Sequence, residues 1–223
     1  MQRSILFMGE ENIRIPWRAT SFEGFRRWLH SGSFPEGWMI SFIDDQLEVE
    51  TCMEEFFEHG QVKNEIARVL SNLMLELKFG RFAPDGTRFS SPRARLSTEP
   101  DGMVISHDAM KRGRVRLVSG KTGRNTEVVG TPEIVIEIVS PSSEEKDTAR
   151  LMKAYFKARI PEYWVVDVRD GAIRFDIHHR KPGGYAAERK SGGWAKSRIL
   201  DRSFRLTASD DESGQPVYTL SVR

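Results

Sequence analysis

The stretch 131–167, TPEIVIEIVSPSSEEKDTARLMKAYFKARIPEYWVVD, leaves the chain few ways to fold. Residues 133–139 are almost entirely β-branched and apolar, the composition of a strand covered on both faces. A helical pattern follows, and an apolar strand returns over 162–168. A right-handed crossover sets the two strands parallel. One residue breaks the apolar run. Burying an unpaired carboxylate is costly enough that the group neutralises, pairs or binds a metal, so Glu137 is either a satisfied structural residue or part of a site.

Around this unit the chain reads as an ordinary folded protein. Hydrophobic residues make up 39% and charged residues 30%, and the net charge of +2 confines any nucleic-acid surface to a local patch. The single Cys52 excludes an intrachain disulfide and a Cys-based zinc site, and fits a reducing cytoplasm. No run approaches the ~20 apolar residues of a membrane span, and the apolar run Ile5-Leu6-Phe7-Met8 is too short for a signal peptide.

The flanking segments are placed by period and by turn residues. Phe22, Phe25, Trp28 and Leu29 fall at helical spacing behind Thr20 or Ser21 as a cap, and Gly32 ends that helix. Runs at 38–43 and 47–50, around Asp44-Asp45-Gln46, read as a hairpin. Between Gly60 and Gly80 the stripe Val62, Ile66, Val69, Leu70, Leu73 and Leu77 predicts a long helix, with His59 before it and Glu65 in its first turns. Short strands follow up to Ser106, and Asp101 stands at the entrance of the last of them. A basic cluster at Lys111, Arg112, Arg114 and Arg116 leads into a second hairpin with arms at 115–118 and 127–129. Ser142 to Glu145 forms an S-x-x-E capping box, after which Lys146, Arg150, Lys153 and Lys157 make a continuous cationic row opposite an apolar face. By default such a row is solvated, although its first members lie near enough to the Glu137 strand to meet a phosphate there. The tail alternates as strands at 173–178, 185–188, 194–199 and 217–222. His178 and His179 point to opposite faces and cannot hold one metal together.

Taken together, Glu99-Pro100-Asp101-Gly102, residues 137–143 (EIVSPSS), Lys146-Asp147 and residues 160–167 (IPEYWVVD) resemble the Uma-type restriction endonuclease family of the PD-(D/E)XK nuclease superfamily. The resemblance implies an α/β (α+β) fold, a restriction endonuclease-like mixed β-sheet core flanked by helices over about 20–180, with an antiparallel C-terminal β extension over about 181–223, and 1–223 as one domain. It also implies a metal-dependent endonuclease that hydrolyses DNA phosphodiester bonds with Mg²⁺ or Mn²⁺. Asp101 and Glu137 match its acidic pair, and Glu65 is a further candidate metal ligand on the long helix. His59 is carried over as a residue close to the site. The chemistry agrees: a hard cation prefers oxygen ligands and is commonly held by one or two carboxylates, and it polarises a phosphoryl group and activates water.

The sequence departs from the superfamily pattern at the lysine. The position two residues after the second carboxylate is Val139, and the alternative position in the following helix is Leu151. Lys146 and Lys153 are the remaining candidates for a catalytic ammonium, Lys146 being nearer the helix start. The alternative function is a catalytically degenerate nuclease fold that binds nucleic acid or a protein partner. A homodimer is expected for cutting both strands, with DNA as partner and no membrane.

Overall fold

The computed structural model describes residues 4–7, 13–35, 37–50, 55–120, 123, 125–141 and 143–223. Strands β1 (Ser4–Phe7) and β2 (Ile13–Pro16) pair antiparallel and lead to helix α1 (Phe22–Leu29). The Ser21 side chain caps α1 by accepting from the Gly24 N–H, as the sequence suggests. The expected first hairpin is β3 (Met39–Ile43) and β4 (Gln46–Glu50). Asp44 and Asp45 make its turn with positive φ, 52° and 62°, a conformation that Asp tolerates better than most residues. Helix α2 (Val62–Leu77) follows a wide, π-type turn over Phe56–Gln61.

Four short strands come next: β5 (Gly80–Pro84), β6 (Arg88–Ser91), β7 (Leu96–Thr98) and β8 (Gly102–Ser106). The one-turn helix α3 (His107–Lys111) precedes the hairpin β9 (Val115–Ser119) and β10 (Asn125–Gly130). The central unit is β11 (Ile134–Ile138), a second π-type turn (Lys146–Arg150), α4 (Leu151–Lys157) and β12 (Glu162–Asp167). The tail supplies β13 (Arg174–Lys181), β14 (Gly184–Ala187), β15 (Ala195–Ser197), β16 (Arg202–Asp210) and β17 (Pro216–Val222).

Two six-stranded mixed sheets result, ordered β4-β3-β7-β6-β10-β9 and β14-β13-β12-β11-β8-β5, with a three-stranded sheet β15-β16-β17 beside them. As the crossover rule requires, β11 and β12 are parallel, with Glu137 opposite Val165. Alternation along β11 divides its side chains between two cores. Ile134, Ile136 and Ile138 pack with α2 and with Phe204, Leu206 and Leu220 of the three-stranded sheet, whereas Val135 and Val139 join Leu151 and Tyr155 of α4. Glu137 is on the α4 face.

Two expectations are corrected by the pairing. Strands β13 and β14 belong to the central sheet, so the separate C-terminal sheet begins at β15 rather than near 181. Strand β16 is absent from the sequence reading, although Phe204 and Leu206 alternate into the core. Cys52 and Ser142, and so the proposed capping box, lie outside the described residues. No described helix is long and apolar enough to cross a membrane.

Candidate active site

The chain leaves the first six-stranded sheet at β7 and enters the second at β8, and the link between them is Glu99-Pro100-Asp101. Asp101 therefore stands where the two sheets meet. The pairing of β8 with β11 runs only from Ile134 to Ile136, which leaves the Ile138 peptide free on that side. Asp101 uses it: Oδ2 accepts from the Ile138 N–H at 2.7 Å. His59 uses the same residue from the other direction. Its Nε2 lies 2.9 Å from the Ile138 carbonyl oxygen, which can only accept, so Nε2 carries the hydrogen. The ring stands 3.6 Å from Asp101 Oδ2. Next to Asp101, a Cβ at Gly102 would come within 2.7 Å of the Phe82 ring, which would have to shift to admit it.

Glu137 is 4% exposed. Its one hydrogen bond among the described residues comes from the Tyr155 hydroxyl, at 2.5 Å. Tyr155 is set by the α4 core, with ring centroids 5.1 Å from Tyr163 and 6.0 Å from Phe89. The π-type turn ahead of α4 brings in two more charged groups. Lys146 Nζ reaches Glu50 Oε1 at 2.5 Å and Asp147 Oδ1 at 4.0 Å. Asp147 is 2% exposed; Oδ2 accepts from the Ser143 hydroxyl at 2.5 Å, while Oδ1 is buried with no hydrogen-bond partner among the described residues. Wide helical turns recur at functional sites. Here they carry His59 on one side and Lys146 with Asp147 on the other.

These groups line one cavity of about 370 Å³, walled by seven carboxylate residues and only two lysines, Lys63 and Lys146. The excess of negative charge shows in the protonation equilibria. Burial, and after it the carboxylates of Asp147 and Asp101, push Glu137 well above the ordinary glutamate range. Burial raises Asp101 against the opposing pull of His59. Asp147 is pushed up to about 7 by burial, with Lys146 opposing. Burial alone would lower Lys146, but Asp147, Glu137 and Glu50 outweigh it and hold the ammonium charged.

Asp101, Glu137, Lys146 and His59 thus line one cavity. Lys153 and Glu65 do not converge. Lys153 is exposed on α4, because the turn that admits Lys146 sends later members of the row outward. Glu65 accepts from Arg68 and from the Leu220 N–H at 2.9 Å, so it ties α2 to β17. The rest of the cationic row faces the acidic hairpin, Arg150 against Glu48 and Lys157 against Asp44 at 3.7 Å. Two members of the basic cluster before β9 are also paired, Arg114 with Glu133 at 2.8 Å and Arg112 with Asp108 at 2.8 Å. Sequence reasoning missed Lys63, whose Nζ lies 3.9 Å from Asp101 Oδ1, and Asp147. The signal for Asp147 was the Lys146-Asp147 pair, but a helical wheel cannot show that a π-type turn points both inward.

Among the described residues no three acidic, His or Cys side chains already stand at metal-ligating separation. The donor set nevertheless suits a hard divalent cation: it is all oxygen, poor in compensating charge, and includes the buried Asp147 Oδ1, which accepts no hydrogen bond among the described residues.

The family model described as "Uma2: Putative restriction endonuclease" matches residues 22–209. Among solved structures, the chain is similar to "a putative nuclease belonging to DUF820" from Anabaena variabilis ATCC 29413, with 14% identity, a TM-score of 0.58, and coverage of 81% of this chain and 90% of that one. At that identity the likeness speaks for the fold. No curated protein matches the chain.

Proposed function

The chain belongs to the Uma2 restriction endonuclease family, and from that premise we propose that it is a metal-dependent endonuclease acting on DNA phosphodiester bonds. The observation that carries this reading is the charge imbalance of the cavity: buried Glu137, Asp101 and Asp147 share it with only two ammonium groups, Lys63 at 3.9 Å from Asp101 and Lys146 at 4.0 Å from Asp147. A phosphodiester approaching these groups alone would be repelled, so the site calls for a cation. Asp101 and Glu137 would hold Mg²⁺ or Mn²⁺, with Asp147 Oδ1 available as a further oxygen. When bound, such an ion polarises the phosphoryl group and lowers the pKa of a coordinated water.

The chain's own groups do the positioning. The Ile138 N–H and Tyr155 hydroxyl aim the Asp101 and Glu137 carboxylates, which keeps their geometry when substrate arrives. Lys146, kept protonated by the surrounding carboxylates, neutralises a phosphate oxygen on the α4 side. His59 Nε2–H holds the end of β11 and screens Asp101. Two such sites in a homodimer would cut both strands, which sedimentation of the protein with and without DNA tests. Because Lys146 supplies a cavity ammonium, the degenerate, binding-only alternative loses its main motive. The deciding experiment is cleavage of supercoiled and linear DNA with Mg²⁺ or Mn²⁺ by the wild type, Asp101→Asn and Glu137→Gln; cleavage unchanged in both variants rejects the reading.

A further inference from the structure

A second cavity, about 490 Å³, opens beside the first, and both have Met39, Asp85 and Glu99 in their walls. It is built from segments far apart in sequence: the end of α1, the approach to β3, the turn after β5, and the β9–β10 hairpin. Trp38 and Phe34 supply aromatic surface. Its buried side holds Arg88, 5% exposed, which pairs with Glu99 and lies 5.7 Å over the Phe34 ring. Glu127 is buried there too, but Arg26 and His30 occupy both of its oxygens. Glu99 differs: Oε1 takes Arg88, and Oε2 receives no hydrogen bond among the described residues.

We infer that this cavity receives an unpaired nucleobase of the strand being cut, one carrying an exocyclic amino group. The inference rests on the nuclease reading. A phosphodiester at Asp101 and Glu137 has a base one sugar away, and the adjoining chamber is the space open to it. The size is that of a small-ligand pocket. The chemistry excludes a second phosphate, because Glu99 and Glu127 put negative charge there and Arg88 is already paired. A base offers what the walls can use: a π face for Trp38, and an amino group that donates to Glu99 Oε2, as the cytosine amino group donates to Glu or Asp elsewhere. A base stacked in a duplex cannot enter, so the substrate must be single-stranded or locally opened at the cut.

The test is fluorescence anisotropy in the Glu137→Gln background with magnesium, which keeps the strand uncut, using oligo(dC), oligo(dA), oligo(dT) and a duplex of equal length. Oligo(dC) and oligo(dA) should bind on the order of tenfold tighter than oligo(dT) or the duplex, the scale of one stacked and hydrogen-bonded base. Adding Trp38→Ala should remove that advantage, Trp38→Phe should keep it, and Glu99→Gln should reduce only the preference for dC and dA over dT. Equal affinity for all four DNAs, alongside magnesium-dependent cleavage by the wild type, overturns the base pocket and leaves the nuclease reading standing. No affinity for any DNA, together with no cleavage, overturns both.

Discussion

The molecule buries acidic side chains in two ways. Glu133 and Glu162, 5% and 1% exposed, are saturated with donors. Glu133 accepts from the Ser106 N–H and hydroxyl and from Arg114, each at 2.8 Å. Glu162 accepts from Ser197, the Arg198 and Ile199 N–H groups and Trp164, with His179 at 3.2 Å. Glu137, as deeply buried, has Tyr155 alone. Glu133 stands immediately before β11 and Glu137 within it, four residues apart, yet one is knitted into the fold and the other is left short of donors beside two more carboxylates. Burial alone therefore does not separate structural from functional acids; the number of donors around each oxygen does.

The contrast can be broken in graded ways. Glu137→Gln or Asp101→Asn should lower the cleavage rate by roughly thousandfold or more, about 4 kcal/mol of transition-state stabilisation, as measured in single-turnover assays. Folding should respond in the opposite sense. Glu162→Ala, which leaves buried donors unmet, should cost about 3 kcal/mol in urea denaturation, whereas Glu137→Gln, which removes a repelled charge, should be neutral or stabilising. If both variants destabilise equally, the two classes of buried acid collapse into one.

A third, smaller effect depends on pH. Asp147 has an ordinary value of 3.8 and is pushed up to about 7 in the folded protein, so the folded state holds an extra proton between those values. Its stabilising contribution is full below 3.8 and is lost as pH rises through about 7. Thermal melts should show Asp147→Asn gaining on the wild type across that window. Added magnesium should raise the wild-type Tm most at the upper end, where the carboxylates are ionised to receive it. The smallest effect belongs to the residues the fold directs elsewhere. Lys153→Ala should leave stability within about 0.5 kcal/mol and cleavage within about twofold, as for an ordinary surface site. Glu65→Gln should weaken the attachment of β17 by about 1 kcal/mol while sparing cleavage.

Local periodicity was enough for much of this. The parallel β11–α4–β12 unit, the α1 cap, both hairpins and the long helix follow from alternation, helical spacing and turn residues, because those signals depend on neighbours a few positions apart. Glu137 could be singled out for the same reason: a carboxylate inside an apolar run is a local contradiction. Asp101 stood at the mouth of a strand and needed the family pattern to stand out. Beyond that, long-range packing decided. Only the tertiary structure turns Lys146 toward the cavity and Lys153 to solvent, since a π-type turn resets the helical phase between them. Only β17 explains Glu65, whose carboxylate is spent on a backbone N–H supplied by Leu220. The aromatic chamber beside the carboxylates is assembled from segments with no shared period, and no spacing rule joins residues that meet because the chain passes repeatedly between two sheets.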